Sequence, residues 1–516
     1  MITSNFLDCT LRDGGYYNQW YFNKGFTDKY LEKVEKIGFK NVEIGFRFFE
    51  TIRTKGLNAY CDPNFIRSLK SSKKINLGIM FNASDLIKYK NKLNYFNESI
   101  ETKRINFVRI ACHLEEIKHI SFFAKKLKKK KIKVMINVMQ ISEIKKNKVK
   151  KIVHHINKIK PDVLYLADSL GSMNKKNIVS LYRNFKKYWK GPMGIHAHDN
   201  IKKALQNSLA LKKEGIEWID STITGMGRGP GNTKSEDIVK SFKKNFEYSN
   251  FKSFKDYINR YFVPLKKKYK WGTNIYYKIA ANFKIHPSYV QTLLNDKRFR
   301  NYDKKFLLKN LRKNEASKFE LNKIFLAINT KKQKHNNNFE FIQKFEKILV
   351  IGSSIKKNKN TKKIENYIKK NKIYTIALNN TEHLRNQSIN LRVMCYPLRV
   401  IGELKKIKKH TPYVLPYSYI PKQMMKKIPE NVFNLDLKIG NKNKFLKKMN
   451  TCELEVPLAI GYALFIANKM SAKKIFFYGF DNILGKEKIK MDDTKQIFFD
   501  FKKQNKDIKL NFLNSK

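Results

Sequence analysis

From residue 1 to about residue 232, short runs rich in Val, Ile, Leu and Phe alternate with longer Lys-rich stretches whose apolar positions fall three and four residues apart. The short runs predict buried strands, and the three-and-four spacing predicts amphipathic helices. Eight strands are expected: Asn5–Thr10, Asn41–Phe46, Ile75–Phe81, Phe107–Cys112, Lys133–Met139, Val163–Ala167, Met193–Ala197 and Trp218–Ile223. Between them, segments such as Thr27–Ile37 (TDKYLEKVEKI), opened by a threonine able to cap the first turn, predict the helices. Strict alternation of strand and helix calls for a parallel sheet, and eight such units over about 230 residues predict a (β/α)8 barrel.

Such a barrel carries its chemistry at the C-terminal ends of the strands, where the loops converge. Polar residues unusual for buried strands occupy those places. They are Arg12 and Asp13 after the first strand, Glu43 in the second, Asp168 and Ser169 after the sixth, His196 and His198 in the seventh, and the run GMGRGPGN after the eighth. A barrel domain over residues 1–235 is therefore expected, and residues 236–330, where the strand rhythm stops, predict a helical extension. Residues 331–345 open on the polar run KKQKHNNNFEF and predict a linker. A second alternating pattern then runs through KILVIGSS, IYTIALN, LRVMCYP, VFNLDL and KKIFFYGFD, so residues 346–516 predict a Rossmann-like α/β domain. It lacks the GxGxxG that dinucleotide binding would use.

Composition narrows the partners. The formal net charge of +65 would suit a phosphate backbone, but the cations are mostly Lys spread along the whole chain. Nucleic-acid readers gather Arg and aromatics on one element, so nucleic acid is not the expected partner and a small anionic substrate is. Five cysteines without CxxC spacing predict neither a disulfide framework nor a zinc knuckle, and suit a reducing cytoplasm. The longest apolar stretch, Leu458 to Ala467, is far below the roughly 20 residues that cross a bilayer, and no basic leader with an apolar core is visible, so membrane insertion is not expected. A homo-oligomer stays open.

His196 and His198, in GIHAHDN, are two apart on a strand and so leave the same face. Taken alone, the pair reads equally well as hydrogen-bonded core histidines. Asp13 changes the balance, because it sits at the C-terminal edge of a strand close by in a closed barrel. Two imidazoles and a carboxylate with positions left open suit Mn²⁺ or Mg²⁺, and no thiolate demands Zn²⁺. Gly225, Gly227, Gly229 and Gly231 allow the close backbone approach that an anion would use.

LDCTLRDGG, HAHDN and the glycine-rich loop together resemble a metallolyase superfamily of TIM barrels. It includes 4-hydroxy-2-oxovalerate aldolase, hydroxymethylglutaryl-CoA lyase, isopropylmalate synthase and homocitrate synthase. The resemblance covers about residues 4 to 235, and WGTNIYYKIAANFKIHPSYVQ in the extension is similar to the aldolase branch. It implies a metal-dependent carbon–carbon lyase acting on a 4-hydroxy-2-keto acid through a pyruvate enolate. By the same resemblance Asp13, His196 and His198 are the metal ligands, Arg12 contacts the enolate oxygen, and Ser169 helps hold the pyruvate carboxylate. Asp13 and His196 then also border the substrate, Asp168 orients nearby groups, and Asn232 is a further ligand. Read as plain structure, Arg12 is an ion pair at the rim, Asp168 and Ser169 are helix caps, and Asn232 is a turn residue.

The sequence departs from the aldolase pattern at Tyr16, in DGGYY, where that branch carries a histidine as general base. A phenol has a reference pKa of about 10, so Tyr16 either transfers a proton with help from the metal or Arg12, or only shapes the pocket. In the C-terminal domain, IANKMSAKKIFFYGFDN is similar to a segment of bacterial sialyltransferase-like proteins, which would set the barrel beside surface-glycan chemistry. Two other functions compete: an acyl-CoA-dependent Claisen synthase of the same superfamily, and a glycan-related transferase whose barrel is a binding scaffold.

Overall fold

The computed structural model describes residues 5–49, 55–70, 74–90, 103–295, 301–311, 316–320, 323–324, 338–340, 343–352, 361–381, 384, 388–408, 410–420, 425, 428–440, 442–447, 449–480 and 488–513. The chain divides into two compact units, residues 1–292 with 315–319, and residues 293–314 with 320–516. The helix Asn301–Leu311, expected in the extension, thus groups with the second unit.

Eight parallel strands close the first unit into a barrel in sequence order: β1 (Asn5–Asp8), β2 (Asn41–Phe46), β3 (Asn76–Asn82), β4 (Ile105–Cys112), β5 (Lys133–Val138), β6 (Val163–Asp168), β7 (Met193–Ala197) and β8 (Trp218–Ser221). Closure comes from β1 pairing with β8 over Asn5↔Trp218 to Asp8↔Ser221. The expected (β/α)8 barrel is therefore present, and the differences lie at element ends. Thr10, expected to finish β1, instead opens a helical turn, Thr10–Asp13. The Asp8 carboxylate accepts from the Thr10 N–H at 2.9 Å and from its hydroxyl at 2.5 Å, which folds the chain out of the sheet. The Thr27 cap is also displaced. That helix is Lys24–Ile37, capped by Asn23, whose side chain accepts the Phe26 N–H at 2.7 Å, and Thr27 is buried within it.

Two cores follow from the alternation of side chains along each strand. On β6, Leu164 and Leu166 join the shell between strands and helices, whereas Val163 and Tyr165 join Leu7, Cys9, Phe107, Met135 and Trp218 inside the barrel. Helices supply the other half of the shell. Val149–Ile159, for example, buries Val149, Ile152, Val153, Ile156 and Ile159, a spacing of three and four that puts all five on one side.

The second unit holds a seven-stranded parallel sheet in the order β13-β12-β11-β10-β9-β16-β17. Its strands are β9 (Lys347–Ile351), β10 (Tyr374–Leu378), β11 (Leu391–Val393), β12 (Tyr413–Leu415), β13 (Val432–Asn434), β16 (Lys474–Tyr478) and β17 (Lys509–Phe512), while β14 (Leu437–Ile439) pairs separately with β15 (Cys452–Leu454). The α/β expectation is met, with two changes. LRVMCYP is strand only to Val393, because Pro397 opens a helix, and VFNLDL splits between β13 and β14. Of the expected linker, residues 331–337 and 341–342 lie outside the described residues, and Phe339 donates its N–H to Asn434 O at 2.8 Å, beside the end of β13. All five cysteines are buried and free of disulfides, and among the described residues no helix is long and apolar enough to cross a membrane.

Packing inside the barrel is tight enough to test. Gly194 on β7 faces the Tyr165 ring, and a Cβ there would come within 2.4 Å of it. Gly194→Val should therefore destabilise the barrel by about 1–3 kcal/mol through overpacking. Urea denaturation measures this, and an unchanged midpoint would contradict the packing described.

Candidate metal centre at the barrel mouth

The turn after β1 is held from beneath by Asp8. Besides Thr10, its buried carboxylate accepts from the Tyr30 hydroxyl and from Ser235 Oγ at 2.5 Å. Thr10 Oγ1 in turn accepts the Ile223 N–H at 2.8 Å, tying the end of β1 to the loop after β8. Trp20 Nε1 donates to Arg12 O at 2.8 Å. These bonds fix Arg12 and Asp13 at the mouth, 4% and 1% exposed, although both are charged.

Asp13, His196 and His198 each offer a ligand atom, all within 4.8 Å of one another, and all three are buried. His196 Nε2 lies 3.4 Å from Asp13 Oδ2, while its Nδ1 is 2.9 Å from Asp220 Oδ2. A carboxylate behind an imidazole is how proteins fix which ring nitrogen faces an ion. The His198 ring stands 5.1 Å from that of His196, and its Nδ1, though buried, has no hydrogen-bond partner among the described residues. Asn232 completes the group, its Nδ2 donating to Asp13 Oδ2 and its buried Oδ1 without a partner among the described residues. Gly227 makes room for this contact, since a Cβ there would fall 2.9 Å from Asp13 Oδ2. Buried imidazole nitrogen and amide oxygen without partners, around a carboxylate, fit a hard divalent cation. A second group, Cys9, His196 and Asp220, has similar spacing but fits poorly. Burial pushes the Cys9 thiol well up, away from the thiolate a metal would need, and Asp220 is already paired with Arg109 at 2.7 Å.

The surrounding charges form a closed ring. Arg12 reaches Asp13 Oδ1 at 2.9 Å and Glu43 Oε2 at 2.7 Å; Arg109 reaches the same Glu43 oxygen at 3.3 Å and Asp220 at 2.7 Å; and Asp220 returns to His196. Three carboxylates thus face two guanidiniums, leaving one negative charge when the imidazoles are neutral. Burial alone would raise the Asp13 carboxyl, but Arg12 and the His196 bond hold it well below the usual carboxylate range. Burial lowers His196, yet its bonds to Asp13 and Asp220 outweigh that and draw a proton toward it. His198, desolvated and beside His196, is pushed well below the ordinary imidazole value, so it stays neutral and able to ligate.

The other predicted residues separate. Asp168 accepts from the backbone N–H groups of Ser172 and Met173 at 3.3 and 3.1 Å, and burial pushes it up to about 6, so the structure gives it the role of a turn cap. Ser169 Oγ accepts the Gln140 N–H at 3.1 Å, which leaves its own proton available. Tyr16 packs its ring 4.9 Å from Trp20, with the Arg228 guanidinium 5.6 Å above it, and burial raises its phenol further. Sequence reasoning passed over Arg109, Asp220 and Arg228. The signals were present: an arginine inside the apolar INFVRIAC, an aspartate inside WIDS, and an arginine among four glycines. Beside the glycine-rich loop, a cavity of about 730 Å³ is bordered by Asn232 and by Lys202, Lys234, Lys266, Lys267 and Lys270, where the basic composition meets the site.

A closed parallel barrel with an aspartate after β1 and paired histidines on β7 defines a class, the metal-site barrels of the lyase and aldolase superfamily. Residues 3–252 match the HMGL-like family model, and through this barrel the chain belongs to the HMGL-like family. Among curated proteins it is similar to 4-hydroxy-2-oxovalerate aldolase of Geobacillus genomosp. 3, 38% identical over 78 residues, 15% of this chain and 23% of that protein. The match to 4-hydroxy-2-oxovalerate aldolase 2 of Nocardia farcinica is longer and weaker, 21% over 245 residues, or 47% of this chain and 69% of the relative. The chain thus spans about a quarter of the length of the curated relatives it matches first. Among solved structures, the N-terminal domain of a candidate aldolase from Bacteroides vulgatus shares 30% identity with a TM-score of 0.51, covering 56% of this chain and 96% of that one.

The two ligand groups predict different outcomes. His198→Ala should remove metal binding, because it takes a ligand from the first group only, whereas Cys9→Ala should leave it intact. Metal content after dialysis against Mn²⁺, with circular dichroism to confirm folding, decides between them. Retention by His198→Ala together with loss in Cys9→Ala would move the site to the second group.

Proposed function

We propose that the barrel is a divalent-metal-dependent aldolase that cleaves a 4-hydroxy-2-keto acid into an aldehyde and the enolate of pyruvate. The observation that carries this reading is Arg12. Its Nε and Nη1 are committed to Glu43 and Asp13, while its Nη2, beside the Asp13, His196 and His198 group, is buried without a partner among the described residues. A guanidinium N–H held this way is a ready donor to an oxygen that gains negative charge, as the keto oxygen does when the adjacent carbon–carbon bond breaks.

Asp13, His196 and His198, with Asn232 beside them, would hold Mn²⁺ or Mg²⁺, which when bound supplies Lewis-acid polarisation of the same oxygen. The chain's own residues do the rest. Glu43 fixes the guanidinium plane of Arg12, so that Nη2 need not reorganise as charge develops. Asp220, braced by Arg109, sets the His196 ring. Ser169, whose hydroxyl proton is unclaimed, donates to the substrate carboxylate. The cation and the two arginines leave the mouth net positive, which suits an anionic keto acid and agrees with the aldolase named for the curated relatives. Tyr16, packed and pushed toward its protonated form, shapes the pocket.

Metal-loaded protein should therefore exchange the methyl protons of pyruvate with deuterated solvent, seen as loss of the methyl proton signal, with no aldehyde present. Arg12→Lys keeps the charge but loses the planar fork, and should slow exchange by about 10²–10³-fold at unchanged metal content. Absence of exchange with pyruvate or other 2-keto acids in the wild-type protein would overturn the reading.

Tyr16 gives an independent check. A proton-transfer role would make Tyr16→Phe cost about 10²–10⁴-fold in cleavage, whereas pocket-shaping predicts a loss below about tenfold. Cleavage rates of the two proteins, followed by pyruvate release, separate the cases.

A further inference from the structure

With Tyr16 packed as an aromatic wall, the oxygen on the aldehyde side of the substrate lacks a partner from the turn after β1. The helical extension brings another imidazole to the mouth. His286 is 9% exposed and immediately precedes the helix Pro287–Asn295. Its backbone N–H donates to Ala316 O at 2.8 Å, and the next carbonyl, Ser317 O, accepts Gln140 Nε2 at 2.7 Å. Gln140 follows β5 and donates its N–H to Ser169, which follows β6. On its other side, Pro287 packs against the loop after β8, where a Cβ at Gly229 would lie 2.9 Å from Pro287 Cβ. His286 is thus anchored to the β5 and β6 ends and to the β8 loop at once, a position across the mouth. The charged and titratable groups that act on it are Arg228, His198 and His113, one of which belongs to the proposed ligand set.

The hydrogen bonding fixes its tautomer. Nδ1 accepts the Ser288 N–H at 3.3 Å in the first turn of the helix, so the ring proton of the neutral form sits on Nε2. Burial, with Arg228 nearby, keeps the ring neutral, and a helix N-terminus acts in the same direction. Among the described residues, no hydrogen bond occupies Nε2.

We propose that the Nε2–H of His286 is the hydrogen-bond donor to the C4 oxygen of the substrate, the atom that leaves as the aldehyde oxygen. The assignment rests on the aldolase reading above. In cleavage the C4 hydroxyl proton passes to water, the O–H electron pair becomes the new C4=O bond, and the C3–C4 pair becomes the enolate double bond. Charge gathers on the C4 oxygen before that bond breaks, and a neutral N–H stabilises it without being transferred. In condensation the same donor polarises the incoming aldehyde. The enolate half of the reaction does not involve it.

Two variants and one spectrum test this on the full-length, Mg²⁺-loaded protein. His286→Phe should lower cleavage of 4-hydroxy-2-oxovalerate by about 10²–10³-fold, and His286→Gln, which keeps an N–H donor, should recover part of that loss. Pyruvate methyl exchange should fall far less in both, at unchanged metal content. Histidine ¹⁵N NMR at neutral pH, with the His286 signal assigned by its loss in His286→Gln, should show Nε2 protonated and Nδ1 bare. Wild-type cleavage in His286→Phe, an equal loss of exchange and cleavage, or a proton on Nδ1 would each overturn the assignment. A wild-type protein that exchanges no 2-keto acid sinks the aldolase reading, and this inference with it.

Discussion

The barrel mouth depends on one buried circuit of charge, running from Asp13 through Arg12, Glu43, Arg109 and Asp220 to His196 and back to Asp13. Each member is at most 4% exposed, so none can rely on water for its solvation. Leaving one such charge uncompensated costs several kcal/mol, which makes the circuit an all-or-none arrangement. Its members come from the turn after β1 and from β2, β4, β7 and β8, so it exists only once the barrel has closed. The same condition leaves Arg12 Nη2 and His198 Nδ1 buried without partners among the described residues. The circuit that stabilises the candidate ligands also holds these two atoms in place.

Beneath the circuit, Asp8 plays a quieter part. Its carboxylate gathers Thr10, Tyr30 and Ser235, and through Thr10 reaches Ile223. It thus welds the first strand to the loop after the last, at the one place where a parallel barrel has no covalent continuity. The residues that carry the proposed chemistry hang from that weld, which is why they can be both charged and rigid.

Much of the candidate site was legible in the chain itself. Asp13, His196 and His198 stood out because carboxylates and imidazoles are rare in strands that are otherwise apolar, and the two-residue spacing put both histidines on one face. Arg109 and Asp220 carried the same signal singly, and one charged residue in a strand has too many structural explanations to be chosen. His286 was invisible in a different sense. It lies in a helical region where a histidine is unremarkable, and only the return of residues 316–317 to Gln140 ties it to the C-terminal end of β5.

What the sequence determined by itself is what depends on short-range periodicity: the eight strands, the alternation that makes them parallel, and hence the barrel and the end at which its polar residues gather. Element ends escaped it where a side chain competed with the backbone, as Asp8 does at Thr10 and Asn23 does at Lys24. Tertiary structure alone decided the roles of individual groups. Asp168 turned to backbone donors, the Tyr16 ring came to rest against Trp20, burial raised the Cys9 thiol, and Asp220 and Arg109 came to stand behind His196. These outcomes depend on which charges become neighbours after residues far apart in the chain are brought within hydrogen-bond distance, as Asp13 and Asn232 are across 219 positions. Electrostatic interactions act through space in a medium of low dielectric, so their balance is set by closure of the barrel and cannot be read from the order of residues along the chain.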